Sequence, residues 1–332
     1  MRDFIPESAD AREPLDQPTD RRSTDAGDAL LPPVAAGSAA ALAMDEAAGL
    51  TIRRGRRQWP LPQGADPDAP LLVVEDLTTE FALEGTTVHA VDGVSFTLRD
   101  GEALGIAGES GCGKTTTALS LVRLLPKNAR IVSGSVRMYG VDLIPKTENG
   151  LRRYRWREVS IVFQGAMNAL NPVVRIGDQI AEPMEERLQL SKADARKRSR
   201  DLLERVGIPR ARADAYPHEL SGGMRQRAMI AMALACDPAI VIGDEPTTAL
   251  DVMVQAQVLQ LLEELREELG LSLILITHDL SVIAETCDRV MVMYAGRVAE
   301  EGAVRRIFAE PRHPYTQMLM RAFPNIHSDR RT

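Results

Sequence analysis

Three clusters of residues have the types and spacing to bind and cleave a phosphoanhydride. The first is Gly108, Glu109, Ser110, Gly111, Cys112, Gly113, Lys114 and Thr115, followed by Thr116. Two glycines five positions apart with lysine and threonine directly after the second satisfy the phosphate-loop pattern, given a strand before and a helix after. Small residues are needed because the backbone must wrap a phosphate closely, so that successive N–H groups and a helix N-terminus point at the anion. Lys114 is placed to neutralise the β and γ phosphates and to act in catalysis, and Thr115 to offer its hydroxyl to Mg²⁺. An ordinary glycine turn before a helix explains the glycines but not the Lys-Thr pair.

The second cluster is Asp244 and Glu245, delivered by the apolar run 240–243. The C-terminal edge of such strands is where open α/β sheets bind ligands. Asp244 is placed to hold Mg²⁺, and Glu245 to polarise an attacking water. Standing alone, the pair would read as a solvated acidic turn before Pro246. The third is His278, at the end of the apolar run 273–276. If the two strands are neighbours, His278 can reach the γ-phosphate. Gln164, after Val162 and Phe163, adds a neutral amide able to orient water or Mg²⁺.

These side chains must be positioned by strands and helices. Residues 71–77 and 94–98 read as strands, the latter alternating as a half-buried strand should. Asp100 and Gly101 mark a turn. Residues 103–107 form a short apolar strand running into the glycine loop, and 114–125 a helix. From about 164 to 217 the character is helical, with 185–206 carrying the Arg, Lys, Glu and Leu of exposed helices. Strand–helix alternation then returns as strand 240–242, helix 252–269, strand 272–277 and strand 290–293. Alternating short apolar strands and helices imply an α/β fold with a mainly parallel sheet covered on both faces, here with a helical insertion in the middle. No internal repeat is evident.

The 332 residues are 44% hydrophobic and 26% charged, an ordinary globular balance. A formal net charge of -7 gives no support for a nucleic-acid-binding surface. Cys112, Cys236 and Cys287 are too widely spaced for a disulfide framework or a paired-cysteine metal site, and suit a reducing compartment. No run approaches the ~18 uninterrupted apolar residues of a membrane span. Residues 1–69 are rich in Ala, Asp, Arg and Pro and read as a largely disordered extension. Within it, 35–44 could form a short helix and Met44 could be the start. Arg53, Arg54, Arg56 and Arg57 could touch anionic lipid, though a solvated charge cluster explains them more simply.

Leu220, Ser221, Gly222, Gly223, Met224, Arg225 and Gln226 resemble the signature of ATP-binding cassette (ABC) ATPases. The order of phosphate loop, Gln164, signature, Asp244 and Glu245, the Ala249-Leu250-Asp251 segment and His278 is similar to that family over residues 71–324. The resemblance implies a P-loop NTPase core spanning 70–310, with an antiparallel β subdomain and a helical subdomain at about 165–225. It implies ATP and Mg²⁺ as cofactors and a head-to-tail dimer with two nucleotides at the interface. Ser221, Gly222 and Gly223 would then contact the γ-phosphate held by the partner's loop, and Asp251 would lie in the segment crossing the interface. A serine and two glycines at a helix start make a second anion nest, in agreement with that role. Gln164 would join Thr115 and Asp244 at the metal. An aromatic residue stacked on adenine is expected before the loop: Phe81 is the choice, His89 the weaker candidate.

A narrower likeness adds a solute class. Phe163 to Pro172, Tyr216 to Leu220, and Arg312, His313, Pro314, Tyr315 and Thr316 are similar to segments of oligopeptide, dipeptide and nickel importer ATPases. The expected partners are two integral-membrane permeases, a second ABC ATPase identical or related to this chain, and an extracytoplasmic solute-binding protein. The expected location is the cytoplasmic face of the cell membrane, with 311–332 as a short C-terminal tail. No cysteine follows Cys287, so the iron–sulfur cluster carried by many such subunits is not expected. Gly243 replaces a bulkier small residue usual in the family and is expected to loosen packing. Rival classes are a non-transport cassette protein and a nucleotide-dependent regulatory switch. The first usually carries two cassettes or a long coiled coil, and the intact Asp244, Glu245 and His278 set argues against the second.

Overall fold

The computed structural model describes residues 61–163, 169–247 and 251–321. The readings made for residues 1–60, Gln164, Ala249, Leu250 and 322–332 lie outside the described residues. Residues 61–69 were expected to continue the disordered extension, but they are held in place. Leu61 and Ala65 pack against the core, and the Asp66 N–H donates to the Tyr139 carbonyl at 2.9 Å.

A four-stranded antiparallel sheet has the order β2-β1-β4-β5, built from β1 (Leu72–Leu83), β2 (Thr86–Leu98), β4 (Ala129–Met138) and β5 (Val141–Asp142). β1 is longer than the sequence pattern suggests. Asp76 takes φ 47°, the ladder shifts register between Val74 and Leu77, and the strand resumes beyond this bulge. The adjacent acids Glu75 and Asp76 interrupt the alternation on which the sequence reading depends.

The six-stranded sheet has the order β10-β9-β3-β8-β7-β6. It comprises β3 (Ala103–Ala107), β6 (Val159–Val162), β7 (Ile240–Asp244), β8 (Ser272–Ile276), β9 (Arg289–Tyr294) and β10 (Arg297–Ala303). Only the β9–β10 pair is antiparallel. Strand β3 shows how the two faces are covered. Ala103 and Ala107 belong to one buried cluster, and Leu104 and Ile106 to the other. Each residue pair on opposite faces follows the two-residue strand period.

Helix α1 (Lys114–Leu121) ends four residues before its expected end. Arg123 enters the left-handed region at φ 50°, its N–H donates to Ser120, and the Leu124 N–H donates back to Leu119. This pattern stops a helix without glycine. After α2 (Glu148–Leu151), the stretch with the composition of exposed helices contains the end of α3 (Ile176–Leu188) and all of α4 (Lys192–Arg205). Gln189 closes α3 at φ 56°, and the Ser191 hydroxyl accepts the Asp194 N–H to open α4. Two short 3₁₀ turns, Arg210–Asp214 and Pro217–Glu219, lead into α5 (Gly222–Ala233). Helix α6 (Val252–Leu269) matches its predicted span, capped by Asp251 and closed by Gly270 at φ 63°. Helices α7 (Leu280–Thr286), α8 (Val304–Ala309) and α9 (Pro314–Arg321) complete the described residues.

The expected loosening at Gly243 does not occur. A methyl group built there would lie 3.2 Å from Pro246 Cγ and 3.3 Å from Leu275 Cδ1, so neighbouring side chains already occupy the space. All three cysteines are free and buried, and burial pushes Cys236 and Cys287 up to about 12.

Candidate nucleotide site

Three adjacent strands of the large sheet, β3, β8 and β7, deliver the candidate residues at their C-terminal ends. The loop 108–113 leaves β3 and returns into α1. Gly108 has φ +146° and Gly113 φ +106°. A Cβ on Gly108 would sit 2.3 Å from the Met293 carbonyl oxygen, and one on Gly113 2.3 Å from that of Ala90. Both positions therefore require glycine for conformation and for space. The Gly113→Ala variant is expected to lose at least about 1–3 kcal/mol through backbone strain alone. Nucleotide affinity should fall at least tenfold with it, and a fluorescent-nucleotide titration giving wild-type affinity would show that this close approach is dispensable.

Lys114 is buried at the start of α1. Its Nζ donates to the carbonyls of Gly108 (2.7 Å) and Glu109 (2.8 Å) and lies 3.8 Å from Cys112 Sγ. The Gly296 N–H, from the β9–β10 turn, donates to the Cys112 carbonyl at 3.0 Å and braces the loop from behind. Ser110, Gly111 and Thr115 are exposed, and Thr116 is half-buried.

Asp244, 1% exposed, ends β7. The Thr115 hydroxyl donates to its Oδ1 at 3.1 Å. Burial pushes its carboxyl above the usual range and the neighbouring Glu245 charge adds to this, while Thr115 and Lys114 pull the other way. A buried carboxylate and a hydroxyl facing each other form an oxygen donor pair that fits a hard cation. Among the described residues no group of three or more His, Cys, Asp or Glu side chains could hold a metal. Mg²⁺ does not require one, because it is commonly held by one or two carboxylates together with substrate phosphates and water.

Glu245 adopts φ 46°, unusual for a side-chain-bearing residue. Its N–H donates to the Ile276 carbonyl at 2.8 Å, and its Oε1 lies 3.2 Å from His278 Nδ1. The glutamate side chain is 17% exposed and the histidine 68%. Strands β7 and β8 are parallel neighbours with Asp244 opposite Ile276, which explains how residues 33 positions apart meet.

The remaining candidates lie elsewhere. Ser221 is exposed and caps α5, its hydroxyl accepting the Met224 N–H at 3.3 Å. Gly222 and Gly223 form the first turn of α5, and a Cβ on Gly223 would meet Val254 Cγ1 at 2.8 Å. Asp251 Oδ1 accepts the Val254 N–H at 2.9 Å, so the starts of α5 and α6 are packed together. Phe81 is half-buried in β1, opposite Val88 and Ala129. His89 Nε2 lies 3.5 Å from Glu80 Oε1. The sequence reading missed Tyr315, whose hydroxyl accepts the Glu109 N–H at 3.1 Å. Its Pro314-Tyr315-Thr316 context resembles an importer segment, but nothing local signals a contact with a loop some two hundred residues upstream.

A phosphate loop beside a buried acid, with a carboxylate–histidine pair at adjacent strand ends, defines the class of P-loop nucleotide-hydrolysing proteins. Comparison with known proteins narrows this. The ABC transporter family profile matches residues 91–248, and the profile of the oligopeptide/dipeptide transporter C-terminal region matches 299–332. A "Probable peptide ABC transporter ATP-binding protein" of Sinorhizobium fredii is 48% identical over 272 residues, 81% of either chain. A "Putative peptide import ATP-binding protein" of Brucella abortus is 51% identical over 263 residues, 79% of either chain. Among solved structures, a dimeric ATP-binding cassette in a post-hydrolysis state bound to ADP and Pi superposes with TM-score 0.64 at 28% identity, covering 70% of this chain and 99% of that one. The cbiO1 protein of Clostridium perfringens, part of an ABC transporter complex, superposes with TM-score 0.64 at 30% identity, covering 73% and 92%. The chain belongs to the family of ABC transporter ATP-binding proteins; it binds nucleotide and is an ATPase.

Proposed function

We propose that this chain is the ATP-hydrolysing subunit of an importer for oligopeptides, dipeptides or similar small solutes. The match of residues 299–332 to the oligopeptide/dipeptide transporter C-terminal region carries the solute class. In this reading the chain divides into an extension at 1–69, of which Leu61 and Ala65 pack on the core, an ABC ATPase unit at 70–310 with its helical subdomain at about 165–225, and a tail at 311–332. Among the described residues no helix is long and apolar enough to cross a membrane. The proposed complex draws its channel from two integral-membrane permeases, with this chain peripheral on the cytoplasmic face and solute delivered by an extracytoplasmic binding protein.

The chemistry follows from the side chains. N–H groups of residues 110–116 and the start of α1 take the phosphates. Lys114 exchanges its bonds to the Gly108 and Glu109 carbonyls for β and γ phosphate oxygens. Asp244, Thr115 and Gln164 would hold Mg²⁺, which when bound neutralises charge on the transferring group. Glu245 aligns the attacking water and takes its proton. His278, already on Glu245 Oε1, steadies that carboxylate and turns toward the γ-phosphate. Phe81 stacks on adenine. Ser221, Gly222 and Gly223 of a second cassette, a copy or a relative, close the site across an interface that includes Asp251. Closure on ATP and separation after hydrolysis supply the coupling, because ATP binds the closed pair better than the open one.

The solute class is tested by uptake. Cells lacking this chain should lose ATP-dependent accumulation of a labelled tripeptide, regain it with the wild-type chain and not with Glu245→Gln. Undiminished tripeptide uptake in the deletion strain would remove peptides as the cargo.

A further inference from the structure

Helix α9 reaches back from the end of the described chain to the phosphate loop. The Tyr315 side chain is buried, the residue 7% exposed, and its ring packs against Tyr294 with centroids 4.5 Å apart. Its hydroxyl accepts the N–H of Glu109 at 3.1 Å. That N–H shares a peptide group with the Gly108 carbonyl, which accepts Lys114 Nζ at 2.7 Å. One amide is thus held at both ends, by the lysine on its oxygen and by the tyrosine on its nitrogen. Hydrogen bonds in such a chain polarise and strengthen one another.

The tyrosine is itself firmly placed. Glu300, on β10, accepts the backbone N–H of Arg312 at 3.1 Å and of His313 at 3.0 Å. Burial pushes its carboxyl upward, but those N–H groups and Arg306 outweigh this and hold it below the usual range. His313 Nδ1 accepts the Tyr315 N–H at 3.1 Å, and the Gln317 amide donates to the Pro311 carbonyl at 3.0 Å.

We propose that Tyr315 is a positioning residue of the nucleotide site: its hydroxyl fixes the Gly108–Glu109 peptide, and through it Lys114, so that the C-terminal helix sets the affinity of the loop for nucleoside di- and triphosphates. This rests on the loop being the phosphate site, as proposed above. When the ammonium leaves the Gly108 carbonyl for a phosphate, the Tyr315 bond keeps that peptide in its orientation. Without the bond the loop must spend binding energy on ordering it.

The test uses the full-length chain and a fluorescent ADP analogue. Tyr315→Phe retains the ring against Tyr294 and leaves the Glu109 N–H without its acceptor, a loss that typically changes an equilibrium by about five- to a hundredfold. The Kd for the analogue is expected to rise at least about fivefold. In steady-state ATP hydrolysis KM should rise by a similar factor while kcat stays within about twofold, because the hydroxyl touches no reacting atom. Glu300→Ala, which loosens α9 while keeping the hydroxyl, should raise the Kd in the same direction, and it carries the test if Tyr315→Phe folds poorly. A role confined to packing would lower the melting temperature and leave Kd and KM unchanged, and that result overturns the proposal. Lys114→Ala, run in parallel, separates the two readings. If it also leaves the Kd unchanged, the phosphate-site assignment fails; if it abolishes binding while Tyr315→Phe binds normally, only the tyrosine's role fails.

Discussion

Replacing Glu245 by Gln is expected to cut ATP turnover by about 10²–10⁴ while leaving ATP affinity within a few-fold of wild type. The substitution is nearly isosteric and should not disturb the backbone. The left-handed conformation at φ 46° is held by the N–H bond to Ile276. The side-chain oxygen facing His278 is retained in the amide. What disappears is the carboxylate able to accept a proton from water. Electrostatics separate chemistry from binding further. Burial and, after it, the Glu245 charge push the Asp244 carboxyl up, so removing that charge favours the ionised form of Asp244 and does not weaken a cation site there. Nucleotide-bound pairs should accumulate if hydrolysis separates them, as in the proposed cycle. Phosphate release measured beside equilibrium ATP binding checks both halves, and wild-type turnover would remove Glu245 from the mechanism.

The legibility of this chain in its sequence depended on how local each cause was. Helix α6 was readable because Asp251 opens it, Gly270 closes it and apolar residues repeat between them. Strand β3 and the loop after it were readable because five apolar residues meet a glycine pattern with few other uses. The early end of α1 was not, because it rests on Arg123 taking a left-handed conformation that arginine does not advertise. The division between α3 and α4 was signalled by Ser191 and Asp194, but the charged composition across it masked the cap. In the site, the order of the acids and the histidine was visible along the chain, whereas the contact between Glu245 and His278 required β8 to lie beside β7. Tyr315 was beyond reach for the same reason: its partner is defined only when α9 folds back over β9 and β10.

The second large effect concerns Ser221. The Ser221→Phe variant is expected to bind nucleotide in the single chain within about twofold of wild type, yet to form no nucleotide-driven pair and to hydrolyse ATP at least about 10²-fold more slowly. The serine is exposed at the start of a 12-residue helix, and its hydroxyl accepts the Met224 N–H of the same helix. Gly223 lies close against Val254, so the tip of α5 can gain no bulk on that side without displacing α6. What the tip offers is a hydroxyl and the N–H groups of a helix N-terminus, which suit an anion brought by another molecule. A phenyl ring there would remove the hydroxyl and hold the facing phosphate away from the N–H groups. Loss of one such donor at a developing charge commonly costs 10²–10³ in rate. Loss of the cap costs about 0.5–2 kcal/mol, too little to unfold a domain of this size, and a thermal melt would verify that. Combining Ser221→Phe with Glu245→Gln sharpens the experiment, because hydrolysis can then no longer dissolve a pair that has formed. Light scattering of the double variant with ATP should report single chains where Glu245→Gln alone reports pairs. Pairing undiminished by the phenyl ring would mean that the phosphate is not completed by this tip, and the cross-subunit site would have to be sought on another surface.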